Sequence, residues 1–134
     1  MPNLIKWTRD KKVLHITTSC DTNKECVECC NEILDVLRRK TASGREFLIF
    51  MDWTKVNAAN VKCVPSVVKF MRDNKENNRQ SIRGSAIVMA SSGMRAMLNM
   101  CFALQKPVTD IKLFKTHQNA YEYINTQTNL MHVQ

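Results

Sequence analysis

Hydrophobic residues fall in short blocks along the chain, and the spacing inside each block predicts its structure. Leu4–Thr8 and Val13–Thr17 are short apolar segments separated by four polar residues, which predicts a β-hairpin. Apolar residues then recur at intervals of three and four, which predicts an amphipathic helix over about 23–40. Thr22 and Glu25 have the spacing of a capping box, so they mark the start of that helix.

Continuous hydrophobic runs further along predict strands that are buried on both faces. Residues 47–51 and 86–90 are apolar at every position, which is typical of central strands in a parallel sheet. Helical spacing predicts two more helices, over about 61–76 and 93–105. Residues 111–114 form a last short strand in this interpretation.

The predicted order of elements is β-β-α-β-α-β-α-β-α, and the last helix lies around residues 120–124. Strands that alternate with helices form parallel sheets through right-handed crossovers. We therefore expect an α/β fold in which an N-terminal β-hairpin is followed by alternating α/β units. The sheet should be five-stranded and mostly parallel, with helices on both faces. A single domain is expected over 1–126, with a flexible C-terminal tail at 127–134.

Length and composition restrict the class of protein. The chain has 134 residues, of which 44% are hydrophobic, and this suits one globular domain. No apolar run approaches the roughly 18 residues that a membrane span needs. The first residues lack the apolar region of a secretory signal. We therefore expect a soluble protein in the reducing cytoplasm.

Cysteine spacing raises the question of a metal or redox site. The chain has six cysteines: Cys20, Cys26, Cys29, Cys30, Cys63 and Cys101. A structural zinc site needs two more ligands at comparable spacing, and the sequence has no second CxxC motif. The three cysteines of the first helix instead share its apolar face, where free cysteine packs as a small hydrophobe. Core packing is therefore expected, metal or redox chemistry is the alternative, and no cofactor is predicted.

The net charge of +8 is unevenly distributed. Residues 21–35 contain five acidic residues and one lysine, whereas residues 36–115 contain fifteen basic and five acidic residues. This segregation favours an acidic partner, which includes nucleic acid, an anionic membrane face or an acidic protein. The charge alone does not choose among these partners.

Basic residues recur along and beyond the second predicted helix. They form a candidate basic strip of Lys69, Arg72, Lys75, Arg79 and Arg83, with Lys62 before it. Nucleic-acid binding favours aromatic residues among such charges. Phe70 is the one aromatic residue there, and its spacing points inward. A solvated helix face is therefore the simpler interpretation.

The order of several segments resembles the STAS family (sulfate transporter and anti-sigma factor antagonist), particularly its stand-alone SpoIIAA-like members. A buried strand ends in Asp52 and is followed by a loop and a helix. The run Ala86–Met100 joins a buried strand to a helix, and Ser91 to Leu98 is similar to that family's SPxxRxLL segment. Ile111–Phe114 then leads into a short terminal helix.

The resemblance implies a protein that binds partner proteins and is not an enzyme. Anti-sigma antagonists of the family carry a phosphorylated Ser or Thr, usually preceded by Asp, at the start of one helix. The corresponding segment here, Val56–Lys62, contains no such pair, and Thr54 and Ser66 are displaced by several residues. We therefore expect the phosphorylation switch to be absent. The same helix end remains a candidate interaction surface, formed by Asn57, Ala58, Ala59, Asn60 and Lys62.

A candidate anion site lies where a predicted parallel strand leads into a helix. It consists of Ser91, Ser92, Gly93 and Arg95. Helix N-termini present free N–H groups to anions, and ligands bind at the carboxyl ends of parallel strands. The simpler alternative is that one of the two serines only caps the helix.

The sequence places no catalytic group beside Asp52. Asp52 and Asn57 are expected to occupy a solvated turn, because both residue types favour turns. The three histidines, His15, His117 and His132, are far apart in sequence and form no recognisable constellation with a nucleophile. No enzymatic activity is predicted.

The leading hypothesis is a non-catalytic protein-interaction module that acts as a regulatory or assembly subunit. Its partner is expected to be a protein with an acidic surface, and a homo-oligomer is also compatible with the sequence. A basic nucleic-acid-associated protein is one alternative. The other is a carrier of a small anion or lipid, in which some of the eight methionines would line an adaptable pocket.

Overall fold

Five strands form one sheet in the order in which they occur along the chain. The computed structural model describes residues 3–57 and 61–133. The strands are β1 Asn3–Thr8, β2 Val13–Cys20, β3 Phe47–Val56, β4 Ile82–Val88 and β5 Ile111–Phe114. β1 pairs antiparallel with β2, and every other neighbouring pair is parallel. The sheet is therefore mixed, and the antiparallel pair is the expected N-terminal hairpin.

Helices connect the parallel strands and follow the last one. They are α1 Asn23–Thr41, α2 Val64–Asp73, α3 Lys75–Ser81, α4 Ser92–Leu104 and α5 His117–Val133, with a 3-10 turn at Val61–Cys63. Within residues 3–57 and 61–133, none of these helices has the length and apolar character that crossing a membrane requires.

The two faces of the sheet are covered unequally. Helices α1, α2 and α4 pack on one face, where they meet Phe47, Ile49 and Met51 of β3. The intervening residues Leu48 and Phe50 point to the opposite face and pack against α5. α5 lies mainly over β3, β4 and β5, and Val13 of β2 joins the same buried cluster.

The start of α1 follows the sequence signature closely. The Glu25 backbone N–H donates to Thr22 Oγ1 and the Thr22 backbone N–H donates to Glu25 Oε1, each at 3.2 Å. The predicted apolar face is also confirmed, because Cys26 and Cys29 are buried and Cys30 is half-buried. The reciprocal hydrogen bonds fix where the helix begins and hence which face it presents to the sheet.

Two predicted boundaries are wrong for identifiable reasons. β3 continues past Asp52 to Val56, because its later residues still pair with β2. The helix expected over 61–76 ends at Asp73, and α3 follows it. The break is at Asn74, which is buried and whose Nδ2 donates to Thr41 Oγ1 (2.9 Å) and Asn78 Oδ1 (2.7 Å).

Residues 127–133 of the segment expected to be a flexible tail are helical, and Gln134 lies outside the described residues. α5 runs through Val133, well beyond the predicted domain end at residue 126. Thr128 is buried and donates to the Ile124 carbonyl at 2.7 Å, and Met131 packs against the core on the α5 face. These contacts extend the folded unit beyond the predicted boundary.

The hairpin turn contains three consecutive non-glycine residues in the left-handed region. Arg9, Asp10 and Lys11 have φ angles of 52°, 58° and 65°. A left-handed conformation places the β-carbon too close to the next carbonyl oxygen and costs roughly 1–2 kcal/mol per residue. The turn is therefore a strained connection between β1 and β2.

Glycine at position 9 should relieve part of this strain. We expect Arg9→Gly to raise the free energy of unfolding by about 0.5–1 kcal/mol, because the removed steric penalty exceeds the added entropy of the unfolded chain. Urea denaturation followed by circular dichroism measures the change. Gly44→Ala is the inverse control, since Gly44 has φ +79° and open space around its missing β-carbon. It should destabilise the protein, and a loss of stability in Arg9→Gly would contradict the strain argument.

Candidate ligand cavity

An apolar cavity of about 150 Å³ lies between the sheet and the helices α1, α2 and α4. The sheet contributes Met51, Trp53 and Val56 from β3 together with residues of β2, β4 and β5. A cavity of this volume with apolar walls can accommodate a small organic molecule about the size of benzene. A second cavity of about 80 Å³ shares lining residues with it, including Leu37 and Phe70.

Nine of the 21 residues that line the cavity have sulfur-containing side chains. Five of the six cysteines line the cavity: Cys20, Cys26, Cys29, Cys30 and Cys63. Four of the eight methionines join them: Met51, Met71, Met94 and Met97. Cysteine is a small hydrophobe and leaves space that a leucine would fill, whereas methionine is flexible and adapts to different shapes. The composition of the wall explains both the free volume and its apolar character.

Burial favours the neutral thiol form at four of the cysteines that line the cavity. Burial, reinforced by the neighbouring Cys63, raises the pKa of Cys30 to about 12. Burial likewise raises the pKa of Cys20, Cys29 and Cys63 above the usual value of a thiol. No Asp, Glu, Lys or Arg among the described residues lines the cavity, so the wall carries no formal charge at neutral pH.

None of the six cysteines forms a disulfide, and no metal site is assembled among the described residues. Cys20 Sγ and Cys26 Sγ lie 2.8 Å apart in a thiol–thiol contact. Cys63 Sγ donates to the Cys26 carbonyl at 3.9 Å. Within residues 3–57 and 61–133, no group of three or more His, Cys, Asp or Glu side chains has an arrangement that could hold a metal ion.

Trp53, one of the residues that line the cavity, has an unsatisfied hydrogen-bond donor. Its side chain lines the cavity from β3, and its indole Nε1 is buried without an acceptor among the described residues. A buried N–H with no partner is energetically unfavourable by about 1–3 kcal/mol. An acceptor atom on a bound molecule would satisfy it.

The cavity reaches the surface where its lining residues are only partly buried. Cys30 of α1, Val67 and Met71 of α2, and Phe102 of α4 are all half-buried. Two lining residues on strands, Trp53 and Ile111, are half-buried as well. The wall of the cavity is therefore partly accessible on both its helical and its strand side.

A polar pair occupies the opposite face of the sheet, and the sequence did not predict it. His117 Nε2, at the start of α5, lies 2.8 Å from Asp52 Oδ2, and the Asp52 side chain is only 17% exposed. Thr54 donates to Asp52 Oδ1 from its backbone N (3.0 Å) and its Oγ1 (2.7 Å). Burial alone would raise the pKa of Asp52, but the hydrogen bonds from Thr54 and His117 outweigh it and lower the pKa. Asp52 is thus part of β3 and contacts α5, so the solvated turn predicted for Asp52 is wrong, whereas Asn57 is exposed just after β3.

Aromatic rings extend this polar pair across the face. The ring of His15 stacks on Phe50 with centroids 4.7 Å apart, and Phe50 stacks on Tyr121 at 4.8 Å. Burial, followed by the nearby Lys6, lowers the pKa of His15. His15 Nδ1 is buried without a hydrogen-bond partner among the described residues. His15 therefore favours its neutral form in the folded protein.

The candidate interaction surface lies only partly in the described chain. Ala58, Ala59 and Asn60 lie outside the described residues. Asn57 is exposed, its backbone N donates to the Cys20 carbonyl at 2.9 Å, and its Nδ2 donates to Asp21. Lys62 is exposed in the 3-10 turn before α2.

The candidate anion site is organised by a cap. Ser91 is the N-cap of α4, and its Oγ accepts from the Met94 backbone N at 3.3 Å. Ser92 and Gly93 are exposed in the first turn, and Arg95 is half-buried. This contact is helix capping by Ser91, which was the simpler alternative to an anion site.

Four of the five residues of the candidate basic strip form ion pairs. The pairs are Lys69–Asp73, Arg72–Asp73, Arg79–Glu76 and Arg83–Glu46, so Lys69 and Arg72 share one carboxylate. The fifth residue, Lys75, is half-buried at the start of α3. Three carboxylates therefore compensate part of the charge of the strip.

Comparisons with known proteins do not assign the chain to a family. No protein-family model matches the sequence, and neither a curated protein nor a solved structure matches it. The proposed function is therefore based on the geometry of the cavity and of its surroundings.

Titration of His15 should make stability depend on pH. Because the pKa of His15 is lowered in the folded state, the unfolded chain binds its proton first as pH falls below about 6.5. We expect the free energy of unfolding to decrease as the pH falls from about 7.5 to about 5. In His15→Phe this decrease should be smaller. Lys6→Met, which removes the second cause of the shift, should reduce it in part. Urea denaturation at both pH values tests this, and an undiminished decrease in His15→Phe would contradict it.

The cavity thiols should react slowly while the protein is folded. At about pH 8 a thiol with a pKa near 12 has almost no thiolate, which is the reactive form. We expect iodoacetamide to modify the native protein about tenfold or more slowly than the urea-unfolded protein. Mass spectrometry of timed samples measures the rates. Rapid modification of several cysteines in the native protein would show that the thiols are more ionised than their burial implies.

Proposed function

We propose that this protein is a non-catalytic binding module whose cavity holds a small, mostly apolar molecule with one hydrogen-bond acceptor. The observation that carries the proposal is the buried, unpartnered indole N–H of Trp53 in the wall of an apolar cavity of about 150 Å³. Ligand sites are commonly apolar cavities with a few polar groups that fix orientation. Here Trp53 supplies that polar group.

The neutral wall favours uncharged ligands. A charged group would lose its hydration in the cavity, and no described lining residue has an opposite charge to compensate. The ligand class is therefore an uncharged aromatic or aliphatic ketone, ester or ether. Of the carriers considered from the sequence, this supports an apolar cargo and does not support an anion.

The flexible side chains favour a cavity that adapts to its ligand. Methionine has three rotatable side-chain bonds and a polarizable sulfur, so Met51, Met94 and Met97 can repack around molecules of different shape. The adjacent cavity of about 80 Å³ offers additional space beside Leu37 and Phe70. The module would accept a family of related molecules more readily than one rigid compound.

The resemblance to STAS proteins implies a partner protein, which would respond to whether the cavity holds a ligand. Members of that family act through partner proteins, and the surface around Asn57 and Lys62 is the corresponding candidate here. The Asn57 backbone N–H is bonded to the carbonyl of Cys20, and Cys20 lines the cavity. On this proposal the cavity and the partner surface share the end of β2, so occupancy would be communicated to a regulatory or assembly partner.

Paired ligands that differ in one acceptor test the role of Trp53. We expect Trp53→Phe to weaken acetophenone binding about fivefold, because a hydrogen bond contributes about 1 kcal/mol, and to change ethylbenzene binding little. Titration of isotope-labelled protein by NMR spectroscopy measures both affinities. Trp7→Phe is the matched control, since Trp7 does not line the cavity.

Two results would overturn this proposal. Absence of chemical-shift changes at cavity residues with either compound would mean that the cavity binds no such ligand. Equal weakening of both compounds by Trp53→Phe would mean that ring shape, and not the N–H donor, governs binding. Cooperative unfolding of both tryptophan variants establishes that the comparison is made between folded proteins.

A further inference from the structure

We propose that the Trp7 patch, formed by Trp7, Lys11, Lys40 and Arg45, binds single-stranded nucleic acid. The patch joins the hairpin turn, the end of α1 and the loop before β3. It is remote in sequence from the candidate basic strip. It is also separate from the proposed ligand cavity, since none of its four residues lines that cavity.

Two cations share one aromatic ring at the centre of the patch. Lys40 Nζ lies 5.8 Å and Arg45 Cζ lies 5.2 Å from the centroid of the Trp7 ring. Trp7 is half-buried and its ring meets Phe47 edge-on at 5.3 Å, so the core holds it in place. Arg45 Nη2 also donates to the Lys11 carbonyl at 3.2 Å, which connects the loop to the hairpin turn.

The charge of the patch is not compensated. None of Lys11, Lys40 and Arg45 forms an ion pair with a carboxylate among the described residues, whereas the strip residues Lys69 and Arg79 are paired. Segments 6–12 and 38–46 together contain eight of the 20 basic residues and two acidic residues, Asp10 and Glu46. Arg38 and Arg39 both pair with Asp35, and Glu46 pairs with Arg83. The uncompensated charge of the patch is therefore that of Lys11, Lys40 and Arg45.

The combination of ring and cations fits an unpaired nucleotide strand. Cationic side chains bind the phosphates, and aromatic faces and guanidinium planes stack with bases that a duplex would keep hidden. A membrane surface is a poorer match, because insertion needs protruding apolar side chains. The exposed large hydrophobic residues of the described chain, such as Leu4 and Val61, lie outside the four-residue patch.

Matched double variants test the patch. We expect Lys40→Ala/Arg45→Ala to weaken binding of a fluorescein-labelled oligothymidine of about twelve nucleotides by about tenfold, a length within the usual site size. The slope of log K against log salt should fall by about 1.4, since each lost phosphate contact on a single strand contributes about 0.7. Arg72→Ala/Arg79→Ala removes the same charge from paired positions and should change the affinity less than about twofold. Fluorescence anisotropy measures all three proteins.

Intrinsic fluorescence provides an independent readout. The chain has two tryptophans, and stacking of a base on Trp7 should quench the wild-type emission while Trp7→Phe shows no quenching. Equal weakening by the two double variants would overturn the proposal, because binding would then follow net charge alone. Equal affinity for a duplex of the same length would overturn the single-strand assignment. Binding to phosphatidylserine vesicles without binding to the oligonucleotide would replace it with a membrane surface.

Discussion

The strands of this sheet keep their chain order, and right-handed crossovers connect the parallel ones. The connecting helices therefore lie on one face of the sheet. With the order β1-β2-β3-β4-β5, each parallel connection moves in the same direction and leaves its helix on the same side. The helices α1, α2 and α4 therefore form one layer over the sheet, and only the chain after β5 can return across the other face. The cavity belongs to the first layer and the Asp52–His117 pair to the second. One topological constraint thus separates the two environments.

The cavity exists because small side chains occupy positions where the layer could have been filled. Cys26 and Cys29 lie on the face of α1 that a leucine-rich helix would use to exclude all free volume. Protein interiors are normally packed to crystal-like density, so an unfilled apolar volume lowers stability. The protein retains that volume, and the neighbouring methionines allow its shape to change without moving the backbone. Packing that is imperfect in the free protein can be completed by a ligand.

Sequence patterns predicted the local structure well and the long-range contacts poorly. The helical spacing around Cys26 and the Thr22–Glu25 signature specified α1, because helix periodicity and capping depend on neighbours within a few residues. The Asp52–His117 pair spans 65 positions and has no local signal. The pairing of Arg83 with Glu46, 37 positions away, also has no local signal. Likewise, nothing in the sequence shows that Lys40 and Arg45 meet on one ring.

The distribution of charge along α1 gives the molecule an electrical direction. Acidic residues occur at the start of this helix, with Glu25 in its first turn, and Arg38, Arg39 and Lys40 close its last turn. A helix of 19 residues is about 28 Å long, so these opposite charges are separated by most of the width of a small domain. In the field of a polyanion the protein would rotate before contact, with the end of α1 leading and its start trailing. The molecule would then arrive in one orientation, with the cavity-lining residues of the first turns of α1 directed away from the polyanion.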